Sequence, residues 1–160
     1  MAQSTQPPAV PRDLGILVLL AYQGFVRGLH EEMAVQGYDD LGHADGVMFR
    51  MLHVAPQTVS VLAGKLGISK QGTAQIVDDM EARGYVVRRP DPADARARLV
   101  ELSARGRAAL GVARAYHAAY EERLVGQYGE GALAGVRTVL EGMAGSAPTG
   151  LDKELRSLYL

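Results

Sequence analysis

Residues 58–107 constrain this chain more than any other stretch. They read TVSVLAGKLGISKQGTAQIVDDMEARGYVVRRPDPADARARLVELSARGR. Leu62, Ala63 and Leu66 recur at helical spacing, Ile68 is apolar in a turn, and Ile76, Val77 and Met80 continue an apolar face beyond Ser69. Between the two helical patterns stands Gly67, where one helix must stop and the chain reverse, a position suited to positive φ. Thr58 is placed to cap the first of these helices, and Ser69 the second, each by accepting a hydrogen bond from an exposed backbone N–H. The second helix is expected over about 69–83, closed by Gly84. Residues 85–89 (YVVRR) and 97–102 (ARLVEL) then read as two strands, with 90–96 (PDPADAR) as the tip between them, because Pro and Asp discourage strand pairing. The pattern is a helix-turn-helix followed by a β-wing, a layout whose usual partner is duplex DNA.

Charge fits that partner only when read locally. The formal net charge is −1. Yet residues 58–107 hold nine Lys or Arg against six Asp or Glu, while the remaining 110 residues hold eight against twelve. A phosphate backbone docks where the local potential is positive, whatever the total. The modest excess implies a limited footprint per subunit.

Helical patterns flank the wing on both sides. From Arg12 to Gln36, Leu14, Leu17, Val18, Ala21, Phe25, Val26 and Leu29 cover a broad apolar face, and Gly37 ends it. A short helix is expected from Ala44 to His53, burying Val47, Met48, Met51 and Leu52, with Pro56 behind it. A long helix starts at Ser103 and reaches about Gln127, with Leu110, Ala113, Tyr116 or His117, Tyr120 and Leu124 on one face. Ala132, Leu133, Val136, Val139, Leu140 and Met143 mark another. The fold class is therefore mainly α: a winged helix-turn-helix with a two-stranded β-wing, flanked by long N- and C-terminal helices. In domain terms, 1–11 form a flexible arm, 12–143 the folded domain and 144–160 a tail, in which LDKELRSLYL could add a turn or two of helix. Within the domain, the winged core spans 44–102. The outer helices, 12–36 and 103–143, carry more apolar face than so small a core can cover. Packing within one chain is one reading; burial across a two-fold axis is the favoured one. A dimer would set two recognition helices one DNA turn apart, matching a palindromic site.

Over about residues 12–143 the chain resembles the MarR family of winged-helix transcriptional regulators. The most specific part is LAGKLGISKQGTAQIVDDMEARGYVVRRPDPADARARLVELSARG, and within it DPADARARLVELSARG fits best. Asp94 and Arg96 fall on the family's wing Asp-x-Arg pair, Arg98 on its following basic position, and Ser103 with Gly106 on the start of the long helix. Gly72, Thr73 and Ala95 depart from the commoner residues at their positions. The resemblance implies an obligate homodimer built from the terminal helices, a pseudo-palindromic operator, and most often repression. It also implies release of DNA when a small, often phenolic or lipophilic anion binds between the dimer helices and the DNA-binding lobe.

In a helix-turn-helix the N-terminal half of the second helix enters the major groove, so Ser69, Lys70, Gln71, Thr73, Ala74 and Gln75 are the expected contacts. Gln71 and Gln75 share one face at i,i+4 spacing, and each carboxamide can pair bidentately with adenine. Thr73 and Ala74 offer methyl groups to a thymine methyl, or approach phosphate, and Lys70 meets the backbone. Gly72 weakens the helix by up to about 1 kcal/mol relative to Ala, which close approach to DNA or a crowded contact with the preceding helix would explain. On the wing, Arg96 is expected to enter the minor groove. Arg88, Arg89 and Arg98 are expected to meet phosphates. Asp94 is expected to hold a nearby arginine, Arg96 or Arg98, at the wing base.

For an effector, Tyr22, Phe25, Tyr38, His43, Met48 and His53 offer an adaptable apolar lining with hydrogen-bonding tips, and Met33 and Met51 stand in the same stretch. Core or dimer contact is the plainer role for each. His30, Glu31 and His43, or His117 with Glu121, lack a tight metal-ligand signature, so no metal or other cofactor is expected. Cysteine is absent, which excludes disulfides and thiolate chemistry. No phosphate-binding loop, nucleophile elbow or metalloprotease signature occurs, so no enzyme is expected. No run reaches the roughly 18 apolar residues of a membrane span, and the N-terminus lacks signal-peptide character; a cytoplasmic location is expected. The rival reading is a winged-helix module that binds a protein partner and not DNA. Gly72, Ala95 and the acidic Asp78, Asp79 and Glu81 are its support.

Overall fold

The computed structural model describes residues 13–94 and 96–145. The arm at 1–11 and the helical turns expected within 151–160 lie outside the described residues. Six helices and a small antiparallel sheet follow one another as α1 (Leu14–Val35), α2 (Asp45–Val54), β1 (Gln57–Thr58), α3 (Val59–Leu66), α4 (Lys70–Ala82), β2 (Val86–Pro90), β3 (Arg98–Leu102), α5 (Ala104–Tyr128) and α6 (Glu130–Ala144). Helix starts follow local capping chemistry. Asp13, Thr58, Ser69 and Ser103 accept hydrogen bonds from the backbone N–H groups of Gly15, Val61, Gly72 and Gly106. Gly67 closes α3 at φ 64°, the left-handed conformation that lets the chain turn into α4.

The sheet has three strands in the order β1-β3-β2, one more than the expected hairpin. β1 pairs Gln57 with Val100 and Thr58 with Leu99, and two residues are too short to show a strand period. β2 runs through Pro90, which faces Arg98, so the tip is 91–97 and not 90–96. Proline is tolerated there because β2 is an edge strand, and its missing N–H breaks no interior ladder.

One core joins the elements of the winged lobe. Val47, Met48, Phe49, Met51 and Leu52 of α2 meet Leu62 and Leu66 of α3, Val77 and Met80 of α4, and Tyr85, Val86, Val100 and Leu102 around the sheet. Met33 and Ala109 bring α1 and α5 onto the same core. Gly106 permits this junction, because a Cβ there would run into the Tyr85 carbonyl oxygen. Further along α5, Phe25 stacks edge-on with His117 and Tyr120 and tilts against Tyr116. Gly28 leaves the space for the Tyr116 hydroxyl, which donates to the Phe25 carbonyl at 3.3 Å. By contrast, the first turns of α1 are largely uncovered, as is α6 apart from the half-buried Leu133. Leu14, Ile16, Leu17, Leu19 and Leu20 are exposed, as are Val136, Val139, Leu140 and Met143.

Charge locks the lobe where apolar packing ends. Arg83, the C-cap of α4, donates to both carboxylate oxygens of Asp45 at 2.5 and 3.0 Å, to the Asp40 carbonyl at 2.7 Å and to Asp79 at 2.5 Å. Asp45 opens α2, where the helix dipole favours a carboxylate, and it also accepts from the Gly42 N–H at 2.9 Å. Only 2% of Asp45 is exposed. Its hydrogen bonds, outweighing partial burial, raise the pKa of the Arg83 guanidinium. Replacing Arg83 by Leu strands a buried carboxylate and should cost about 3–5 kcal/mol. Asp79→Asn removes only an exposed partner and should cost no more than about 1 kcal/mol. Urea unfolding of the two variants beside the parent checks this, and equal losses would contradict it.

Candidate nucleic-acid interface

The helix-turn-helix presents α4 with one face down on the core and one face out. Val77 and Met80 are buried beneath it. Lys70, Gln71 and Gln75 are exposed, and Ala74 is half-buried between them. Two glutamine carboxamides and a lysine thus share the outer face of the first two turns, with Ser69 exposed at the helix start.

Thr73 is not part of that face. It is fully buried, and its hydroxyl donates back to the Ser69 carbonyl at 3.0 Å, so it cannot meet a base or a phosphate. The signal is present in the spacing, since Thr73, Val77 and Met80 stand at i, i+4 and i+7, the buried stripe. Gly72 serves the cap. A Cβ at Gly72 would press on the Ser69 hydroxyl at 3.3 Å, the oxygen that accepts from the Gly72 N–H. That is a different crowding from the expected contact with the preceding helix.

The four wing arginines divide into two kinds. Arg88 is folded back onto α4, donating to Glu81 at 2.5 Å and to Asp78 at 2.6 Å, while its backbone N–H donates to Glu81 at 3.2 Å. Burial opposes the Arg88 charge, but the bonds to Asp78 and Glu81 prevail and its pKa is raised. Arg89 pairs across the hairpin with Glu101 at 2.9 Å and remains half exposed. Arg96 and Arg98 are exposed and, among the described residues, enter no ion pair. Asp94 holds the tip through backbone: its carboxylate accepts from the Arg96 N–H at 2.9 Å, in place of the expected bond to a guanidinium. Asp91 does the same for the Ala93 N–H at 2.8 Å. Both are short side-chain turns that need no partner elsewhere.

A second polar cluster, not legible in the sequence, joins the loop after α1, the wing and α5. The Tyr85 hydroxyl donates to Asp40, and Arg105 reaches Asp40 at 3.1 Å and the Tyr85 oxygen at 3.2 Å. Arg105 also lies over the Tyr38 and Tyr85 rings, at 5.3 and 4.8 Å from their centroids. The Tyr85 bond, with Arg105 nearby, lowers the Asp40 pKa, while burial and Asp40 push the Tyr85 phenol up to about 12. The only advance hint of these clusters is Asp79 with Arg83 at i,i+4 spacing.

The residues expected to line an effector site do not converge. Met48 is fully buried in the core, so it is not available to a crevice. Phe25 sits in the α1–α5 aromatic cluster, and Tyr22 is exposed one turn earlier. Tyr38 lines an open depression of about 320 Å³ with His30, Glu31, Met33, Ala34, Asp39 and Leu41. His53 lines another, of about 200 Å³, beside Pro56, Glu101 and Arg107. His43 is exposed and lines neither. Glu31 and Asp39 make the larger depression unfavourable to an anion. Burial holds the His117 pKa below its ordinary value, with Arg50 adding to the effect and Glu121 opposing it. Among the described residues no group of three or more His, Asp or Glu is placed to hold a metal ion. No helix among them is long and apolar enough to cross a membrane.

Comparison with known proteins places this geometry. The fold is shared with RV1404 from Mycobacterium tuberculosis at 20% identity and a TM-score of 0.72, covering 88% of this chain and 99% of that one. A mutant of MarR from E. coli aligns at 22% identity and a TM-score of 0.59, covering 86% of this chain and 100% of that one. CouR, a transcriptional repressor bound to a 23-mer DNA duplex, aligns at 24% identity and a TM-score of 0.60, covering 83% and 93%. No curated protein matches the sequence. Residues 42–97, from the approach to α2 through the wing tip, match the family model described as the MarR family, and over that segment the chain is similar to it.

Proposed function

We propose that this chain is a transcriptional regulator that binds a pseudo-palindromic duplex operator as a homodimer and represses transcription in the cytoplasm until a small aromatic or lipophilic effector releases it. It works by occupancy of DNA and not by catalysis. One observation carries the DNA-binding reading. The outer face of α4 offers Lys70, Gln71 and Gln75, while the wing offers Arg96 and Arg98, which no carboxylate among the described residues holds in an ion pair. In the major groove a glutamine carboxamide matches adenine, and a thin arginine suits the narrow minor groove beside it. Ser69, Lys70, Ala74, Arg89 and Arg98 then serve as backbone and edge contacts that set register. The fold shared with DNA-bound CouR supports the same reading. The effector rests on the family resemblance, with Phe25 and Tyr22 the aromatic residues that α1 itself supplies.

The uncovered faces of α1 and α6 support the dimer. Val136, Val139 and Met143 are each more than half exposed, on a helix with no buried residue. A contiguous apolar face of that kind marks a protein contact, and a core-like one is of the obligate kind. Sedimentation of dilute protein should therefore give twice the 17.1 kDa chain mass. A folded species at the chain mass would contradict the dimer.

Titration of variants against the preferred duplex and its single-base changes tests the readers. Gln75→Ala should relax preference at one position of each half-site, at a cost of about 1–3 kcal/mol if the carboxamide is bidentate. Thr73→Val, buried and isosteric, should lower stability by about 1 kcal/mol through its missing hydrogen bond and leave base preference unchanged. Identical base preference in Gln75→Ala and the parent removes Gln75 from the readers.

Arg96→Ala should weaken binding to specific and nonspecific duplexes alike. The slope of log affinity against log salt should fall by roughly one for each phosphate interaction removed, summed over both subunits. Melting temperature should hardly move, because Arg96 is exposed. An unchanged salt slope would show that the wing does not meet phosphate through Arg96. A protein-binding module, the rival reading, would show almost no salt dependence at its apolar interface.

A further inference from the structure

We propose that Arg88 is a positioning residue: with Asp78 and Glu81 it clamps the wing hairpin to the recognition helix and so sets the reach from the major-groove glutamines to Arg96. This inference rests on the DNA-binding reading above. It changes the role of Arg88 from a phosphate contact to a strut inside the protein.

The geometry commits both terminal nitrogens of Arg88 to carboxylates of the protein itself. Its two terminal nitrogens donate to separate carboxylates, at 2.5 Å to Glu81 and 2.6 Å to Asp78, and Glu81 also accepts the Arg88 backbone N–H. One guanidinium shared between two carboxylates makes a cluster with an excess negative charge, which repels a phosphate. The side chain is 22% exposed, so the pair works in a medium less screening than bulk water.

The position of the clamp gives it leverage. Asp78 stands one helical turn after Gln75, and Arg88 is the third residue of β2, between the buried Val86 and the exposed tip. Among the described residues, no other ion pair joins the hairpin to α4; Arg89 with Glu101 ties the two hairpin strands to each other. A planar fork can bridge two carboxylates at fixed angles, whereas a lysine ammonium acts as a point charge. The strand and the helix are therefore held at one relative orientation, and the tip inherits that orientation.

The sign of the expected effect separates this role from the alternatives. The double variant Asp78→Asn with Glu81→Gln removes two negative charges from the lobe that faces DNA. Plain electrostatics would then strengthen binding to every duplex. A clamp predicts the reverse for the preferred duplex: affinity should fall by about tenfold, the cost of misplacing one good groove contact. Nonspecific affinity should hold or rise, so the ratio between the two falls. Arg88→Lys should lose the same ratio while its salt slope stays near that of the parent, since the charge is kept.

Hydrogen exchange on the free proteins reads the clamp without DNA. Amides of 86–89 and 98–102 should exchange faster in the double variant, with α3 protection retained. Unchanged hairpin exchange, or a preferred-duplex affinity that holds or rises with its specificity ratio intact, overturns the proposal. If the parent selects no duplex at all, the DNA-binding reading fails, and the exchange measurement alone decides the clamp.

Discussion

The fork of Arg83 on Asp45 closes the C-terminus of α4 against the N-terminus of α2, and the orientation of the outer face of α4 depends on it. Apolar packing alone would leave α4 free to roll about its buried stripe of Val77 and Met80. Five hydrogen bonds from one guanidinium to Asp40, Asp45 and Asp79 remove that freedom. Such a buried pair contributes more to a unique arrangement than to net stability, because desolvation offsets much of its attraction. The neighbouring bonds among Asp40, Tyr85 and Arg105 extend the lock to α5. The loop after α1 is thus a common anchor for α4 and for the long helix that leaves the winged lobe.

About half of the basic residues of the winged segment are internal wiring, Arg107 among them through its bond to the Leu102 carbonyl at 2.6 Å. Arg83, Arg88, Arg89 and Arg105 each hold a carboxylate. Lys65, Lys70, Arg96 and Arg98 enter no ion pair among the described residues. On the proposed reading, cations so placed suit contact at the first turns of α4 and at the wing, shared between two subunits. That reading agrees with the apolar faces of α1 and α6, whose large side chains stay about half exposed among the described residues.

Much of this is legible in the sequence because the signals are local. Thr58, Ser69 and Ser103 announce helix starts through bonds that span three residues, and Gly67 announces a reversal through its own φ. The family resemblance, read over about residues 12–143 and most specifically from Leu62 to Gly106, is matched by the family model over residues 42–97. Where the sequence misleads, the cause is physical. Thr73 suggests a surface role by residue type, but its spacing places it on a buried stripe, and of the two roles expected of Met48, core and crevice lining, only the core one holds. Pro90 would break a central strand and is harmless at an edge. Arg88 looks free because its partners, Asp78 and Glu81, sit on another element. Arg83 and Asp45 are 38 positions apart, and no local rule predicts that they meet.

Selection from random duplexes tests the central claim most directly: that two copies of this lobe, joined through the outer helices, read DNA together. The account predicts enrichment of a two-fold-related sequence whose half-sites lie about 10 base pairs apart, centre to centre, with adenine-containing steps where Gln71 and Gln75 enter the major groove. Enrichment of no two-fold-related sequence, under conditions where the protein is folded and dimeric, would contradict it.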